Sequence, residues 1–198
     1  MALPITACGL RLDDEAVRIA VALRLGSELG SSHSCRCGSS VDARGTHGLV
    51  CKRAPSRVLR HHALNECVSR AFSAAGIPVK KEPSGLAHKD GKRPWRLHAH
   101  SLARRLTAGL GCHSLHHTVA DSYLTAASHT AEQAADRKYQ KYAELSAAYE
   151  FQPMAVETHG PLSASTVSFL LDLGRKISER TGEPLEVQFL FQRISILV

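Results

Sequence analysis

Helical and extended patterning alternate along most of the chain. Asp13, Asp14 and Glu15 precede Ala16, Val17, Ile19, Ala20 and Leu23. An acidic first turn followed by apolar positions three and four apart predicts a helix that ends near Gly26 or Gly30. A second helix is predicted from Ser56 to Ala75, with Val58, Leu64, Val68 and Phe72 on one face and Gly76-Ile77-Pro78 as its stop. A short strand in "PVKKEPSG" follows. Ala131 to Tyr149 is the next helix, carried by Ala135, Tyr139, Tyr142 and Leu145 at helical spacing among Lys138, Lys141 and Glu144. "FQPMAVETHG" reads as a strand running into a turn. Ser163 or Ser165 is placed to cap a further helix, whose buried stripe is Val167, Leu170, Leu171 and Ile177 and whose stop is Gly182. The last segment, "EPLEVQFLFQRISILV", predicts a helix that finishes on apolar residues without a cap, as at a cut end.

Two stretches break this pattern. The first, "SSHSCRCGSSVDARGTHGLVCKRAPS", is rich in Gly and Ser and poor in apolar residues. Within it Cys35, Cys37, His47 and Cys51 are spaced C-x-C-x9-H-x3-C. Three thiolates and an imidazole suit tetrahedral Zn²⁺; the C-x-C pair chelates from one turn, and H-x3-C matches one turn of helix or a tight loop. The alternative is four unrelated residues in a polar loop. A structural zinc, contributing on the order of 10 kcal/mol to folding, would explain how so polar a segment becomes ordered. Cys8, Cys67 and Cys112 lie too far along the chain to join by spacing and are expected to be inert thiols. His61 and His62 follow in "RHHALN", with Asn65 one turn beyond. They could face a phosphate, His61 could approach the zinc, or both could sit on a helix surface.

The second stretch runs from Gly91 to Ala120. It has no Asp or Glu, five histidines and a charge of +5, and no helical or strand period is evident over it as a whole.

Composition narrows the class. The 198 residues are 43% hydrophobic and 22% charged, which suits one or two small globular domains. No run approaches the roughly 18 apolar residues of a membrane helix. "MALPITACGL" lacks the charged and apolar regions of a secretory signal. An intracellular, nuclear or cytoplasmic, thiol-reducing setting is therefore expected. The net charge of +7 is uneven: +5 over residues 1–90, +5 over 91–120 and −3 over 121–198. Such a balance attracts nucleic acid, although a basic chain of this size can also bind nothing specific.

The motifs "CRCGSSVDARGTHGLVCK", "RHHALN", "EPSGLAHKDGKRP", "RKYQKYAE", "ETHGPLS" and "FLFQRIS", in that order, resemble the C-terminal end of retrotransposon polyproteins that carry a restriction-like endonuclease. The resemblance runs from about Leu10 to the end. It implies a zinc knuckle followed by a nuclease of the PD-(D/E)xK type, an α/β (α+β) core with a helix, a mixed sheet of about four strands and a second helix. In that class two strand carboxylates hold Mg²⁺ against the scissile phosphate and a lysine orients water or phosphate. The matching positions here are Glu82, then Lys92-Arg93-Pro94, then Lys138, Lys141 and Tyr142, with Asp90 nearby on a turn.

This chain departs from that pattern. Where the family has Asp after the proline, it has Trp95, and no Asp or Glu follows until Asp121. A choice of synonymous codons for "TAGLGCHS", read in a shifted frame, gives Leu-Val-Trp-Asp-Val-Thr-Val, the missing strand with its aspartate. Residues 95–116 thus read as out of frame between two compensating insertions or deletions; a genuine basic loop is the alternative. The segment is expected to supply no regular strand, Leu97, Leu102 and Leu106 suggesting an irregular helix, so that the sheet loses its middle and folds marginally. The resulting plan is an N-terminal helix (1–30), a zinc knuckle (31–55), a degraded endonuclease-like core (56–160) and a C-terminal helical extension (161–198), largely helical if the central strands are lost.

Three functions follow as expectations. The first is an inactive endonuclease relic, its ancestral Mg²⁺ no longer bound because Glu82 alone cannot supply the oxygen ligands. The second is a non-enzymatic zinc module binding DNA or RNA weakly and non-specifically through Arg36, Lys52, Arg53, Arg57, Arg60 and His61. The third is a live nuclease using Glu82, Asp90 and Lys92. No membrane association and no protein partner is expected.

Overall fold

The structure, a computed structural model, describes residues 11–51, 53–54, 56–81, 96–100, 105–112, 129–141, 143, 150–157 and 161–197. It mixes helices with two small sheets and divides into two compact units, Met1–Leu59 with Ser114–Ala127, and Arg60–His113 with Ser128–Val198.

In the first unit α1 spans Asp14–Leu25. Asp13 caps it, its carboxylate accepting from Ala16 N at 2.7 Å, and Gly26 ends it. A two-stranded hairpin follows, β1 (His33–Ser34) against β2 (Ser40–Val41), and then a single helical turn, α2 (His47–Val50).

Helix α3 (Ser56–Ala74) leads into the second unit. The chain stops it as the sequence predicts. Gly76 takes φ +74, Gly76 N donates to Ser73 O and Ile77 N to Phe72 O, a pairing that satisfies two otherwise orphaned carbonyls and needs the left-handed residue that glycine supplies. Arg180 adds a further donor to Ser73 O at 2.9 Å. After α3 come β3 (Val79–Lys81), β4 (Arg96–His100), β5 (Arg105–Cys112), α4 (His129–Lys141), β6 (Glu150–Val156), α5 (Ala164–Thr181) and α6 (Glu186–Leu197). The sheet order is β3-β4-β5-β6; β3, β4 and β5 pair antiparallel and β6 lies parallel to β5.

Strands β4 and β5 correct the expectation of an irregular helix and a sheet without a middle. Read in two short pieces, the anomalous stretch does have a period of two. Leu97 and Ala99 alternate with Arg96, His98 and His100, and Leu106, Ala108, Leu110 and Cys112 alternate with Arg105, Thr107, Gly109 and Gly111. The register sets apolar positions opposite one another: Val79 with Ala99, Leu97 with Ala108, Ala99 with Leu106, Leu110 with Met154 and Cys112 with Val156. The ladder itself needs only backbone N–H and C=O groups, and no proline interrupts Arg96–Cys112.

The core joins Leu64, Val68, Ala71 and Phe72 of α3 to Met154 of β6, Leu170, Leu173 and Ile177 of α5, and Leu190 and Ile194 of α6. The Phe72 and Phe169 rings stand 5.8 Å apart, tilted. Phe151, on the alternate face of β6 from Met154, meets Tyr139 of α4 edge-on at 6.0 Å, so β6 is covered on both faces. Three positions of the expected stripes differ. Val58 is 52% exposed, because the α3 face that reaches the core begins only at Leu64. In α5, Val167 and Leu171 are half-buried while Thr166, Leu173 and Gly174 are buried. A Cβ on Gly174 would meet Val187 of α6 at 2.9 Å, so the helix-to-helix approach turns the buried stripe by about one position.

Thr166 is fully buried because its hydroxyl is used twice: it accepts from Ala155 N at 3.1 Å and lies 2.6 Å from the Ser163 hydroxyl that caps α5. Thr166→Val keeps the shape but strands both partners. It is expected to lower unfolding free energy by about 1–3 kcal/mol in chemical denaturation, with Thr166→Ser recovering most of the loss.

Candidate metal centre

The four residues picked out by spacing converge. One ligand atom each from Cys35, Cys37, His47 and Cys51 lies within 4.8 Å of all the others. Cys35 Sγ and Cys51 Sγ are 3.6 Å apart, and Cys37 Sγ and His47 Nε2 are 3.1 Å apart. A zinc tetrahedron with Zn–S bonds of about 2.3 Å has S···S edges of about 3.8 Å. The group could therefore hold a metal of that size with small adjustments.

Local sequence builds this arrangement. The hairpin turns through Cys35–Ser39, closed by Cys35 N to Ser39 O and Gly38 N to Cys35 O, both 2.9 Å. Gly38 has φ +90, which only glycine adopts without strain, and this reversal brings both thiols of C-x-C to one side. Asp42 accepts from Thr46 N at 3.2 Å and from the Thr46 hydroxyl, fixing the loop into α2. One turn of helix then separates His47 from Cys51, with Cys51 N donating to His47 O at 2.9 Å. Cys51 and Val41 are the buried apolar residues of this segment. Leu29 N and Gly30 N both donate to Ala43 O, attaching the chain ahead of the hairpin.

The thiols are unequal. Hydrogen bonds from the Ser39 hydroxyl and the Ser39 N–H hold Cys37 down at about 6. Cys35 gains a lowering hydrogen bond from the Cys37 N–H, but sharing hydrogen bonds with the Cys37 and Cys51 thiols, together with burial, raises it on balance. Ser39 and Asp42 were not singled out from sequence. The Asp-Ala-Arg-Gly-Thr run is the readable signal for Asp42, since an Asp four residues before a Thr in a Gly-containing loop favours such a turn.

The other predicted site residues divide. Arg36 and Arg53 are exposed, and Arg53 Nη1 donates to Arg36 O at 2.6 Å, a bond across 17 positions that sequence gave no sign of. Lys52 lies outside the described residues, and so does the side chain of Arg57. Arg60 is half-buried on α3, its Nε without a hydrogen-bond partner. His61 is not part of the metal group; Asn65 Nδ2 stands 3.5 Å from its Nε2. Burial, with the nearby positive charges of Lys138 and His62, pushes His61 down to about 4, so it is neutral at pH 7. Lys138 Nζ donates to Met154 O at 3.1 Å, and Lys141 is exposed on the same helix. Glu82, Asp90, Lys92, Trp95 and Tyr142 lie outside the described residues, as does Cys8. Cys67 is half-buried, and burial raises its thiol, which suits an inert role.

Among the described residues the Cys/His set is the one group of three or more potential metal ligands, and its soft donors suit zinc rather than magnesium. No helix of the described residues is long and apolar enough to cross a membrane. No protein-family model matches the chain, and no curated protein matches it.

Proposed function

We propose that the chain is a relic of the zinc-plus-endonuclease end of a retrotransposon polyprotein, retaining zinc-dependent nucleic-acid binding without cleavage. The convergence of Cys35, Cys37, His47 and Cys51 carries this reading. Zn²⁺ would sit between the β1–β2 turn and α2 as a closed structural site, with no open position for substrate. The exposed Arg36, Arg44 and Arg53 on the same unit supply the charge that attracts phosphate.

The ancestry draws on two further observations. From α3 onward the chain runs helix, three antiparallel strands, helix, then a strand parallel to the third, which agrees with the helix–mixed sheet–helix plan the resemblance implies. Strands β4 and β5 contain no Asp or Glu. A hard divalent ion needs several oxygen ligands, and β4 and β5 offer no carboxylate to hold Mg²⁺ against a phosphate.

The expected results are one zinc per chain by metal analysis, DNA binding that weakens with salt and is lost with a chelator, and intact plasmid after incubation with Mg²⁺ or Mn²⁺. Nicking that Glu82→Ala abolishes would make the chain a live nuclease; nicking that survives the substitution belongs to a contaminant. For the ancestry, the nucleotide sequence across codons 93 to 118 is expected to show a Trp-Asp-Val-Thr-Val run in a neighbouring frame. Its absence from all three frames would end the out-of-frame reading.

A further inference from the structure

Resting on that reading of the zinc unit as a nucleic-acid binder, we infer that its ligand is duplex DNA, gripped at the phosphate backbone by Arg36 and Arg53 and not read at its bases. Arg36 occupies the turn between the ligands Cys35 and Cys37, with its side chain exposed. Arg53, beyond the last ligand, reaches back to donate to the Arg36 carbonyl. Two guanidinium-bearing residues are thereby tied to one turn, and that turn is fixed by the metal group. The Arg53 guanidinium, already held in place, loses less freedom when it meets a phosphate, and the planar fork of either arginine matches two phosphate oxygens.

Acidic competition is slight. No ion pair involves Arg36, Arg44 or Arg53 among the described residues. Asp42, the carboxylate nearest in sequence to Arg44, is engaged by Thr46.

Contact by charge rather than by stacking favours the double strand over the single. Single strands, and RNA loops, are bound by stacking their bases on aromatic rings, at about 1–3 kcal/mol per base. No Phe, Tyr or Trp stands among the described residues of the unit; its one such residue, Tyr123, lies outside them. Among the described residues of the unit, the exposed His33 is the one aromatic ring outside the metal group, its Nδ1 3.0 Å from Ser31 O. With charge as the contact, the denser phosphate array binds better: counterion release gives a slope of about −0.9 per contact on B-DNA against about −0.7 on a single strand.

The test uses the full zinc-loaded chain and fluorescence anisotropy with a labelled duplex and each of its single strands, over a range of salt. The duplex is expected to bind more tightly, and a change of its sequence to alter affinity by less than about twofold. Arg36→Gln and Arg53→Gln are each expected to make the slope of log K against log salt less negative by about 1, with zinc retained by metal analysis. Arg36→Gln removes no side-chain hydrogen bond of the fold, so it remains readable even if Arg53→Gln releases the metal. Single strands binding as tightly as the duplex, binding that collapses with His33→Ala or Tyr123→Ala, or an Arg36→Gln slope equal to wild type would each overturn the inference. A chain that holds no zinc, or that holds zinc and binds neither form, would instead overturn the proposed function.

Discussion

Replacing Cys51 with serine, or stripping metal from the wild-type chain, is expected to unfold the Cys35–Cys51 segment while the core around α5 and α6 survives. The reason lies in how little else holds that segment. Among its described residues only Val41 and Cys51 are buried apolar side chains, and the hairpin contributes two residue pairs. Ordering a backbone costs about 1–2 kcal/mol per residue, which two buried side chains at about 1.5–3 kcal/mol each do not offset. A structural zinc would contribute on the order of 10 kcal/mol and tie four points of the segment together. Serine presents a hydroxyl that stays protonated at neutral pH and is a poor replacement ligand. The core of the second unit contains none of the four ligands. In a two-dimensional amide spectrum, the signals of His33–Arg53 should collapse toward random-coil positions, while those of Ala164–Thr181 persist. Dispersed signals from the first group after complete zinc removal would show that something other than metal orders it.

The same site has a pH dependence with a definite sign. Ligand sulfurs must be deprotonated, so the metal-bound chain carries fewer protons than the metal-free one, and acid favours the metal-free form. Cys37, held at about 6 by Ser39, is already a thiolate at neutral pH, whereas Cys35, raised, gives up its proton on binding. Apparent zinc affinity should rise with pH and fall most steeply once the pH drops below about 6, where Cys37 also protonates. Ser39→Ala, which removes the hydroxyl donor, should move that steep fall to higher pH in a competition titration.

The Cys/His cluster was legible because its chemistry lies in residue identity and spacing: four donors within 17 residues, flanked by glycines, suit a metal better than most other uses. Helix stops were legible for the same local reason, Gly26, Gly76 and Gly182 each standing where the chain reverses out of a helix. The central strands were not. Their alternation is carried by Leu, Ala and Cys between Arg, His, Thr and Gly, with Thr107 the one β-branched residue and none of the Val, Ile, Phe, Tyr or Trp that usually announce a strand. The register gives that alternation its meaning by setting Leu97 opposite Ala108 and Leu110 beside Met154. The Arg53–Arg36 bond was hidden for a different reason, since a contact across 17 positions depends on the turn of the hairpin and leaves no local pattern.

Helix α3 offers the sharpest contrast between a stripe read from spacing and the one the fold uses. Phe72→Ala and Val58→Ala remove apolar side chains from positions that the helical period places on one face. Phe72 is 1% exposed, at the centre of the ten-residue core and beside Phe169; Val58 is 52% exposed. Truncating a fully buried phenylalanine costs about 3–5 kcal/mol, from lost transfer energy and the cavity left behind. Against a domain stability of roughly 5–15 kcal/mol, that is enough to unfold a large fraction of molecules near 37 °C. Val58→Ala should fall within about 0.5 kcal/mol of wild type, because the side chain is already half in water. With urea m-values of about 1–3 kcal/mol/M, the Phe72 variant's midpoint should drop by more than 1 M while the Val58 variant's stays near wild type. Comparable losses from the two would mean that the apolar face of α3 is covered along its whole length, and that the core begins at Val58 rather than at Leu64.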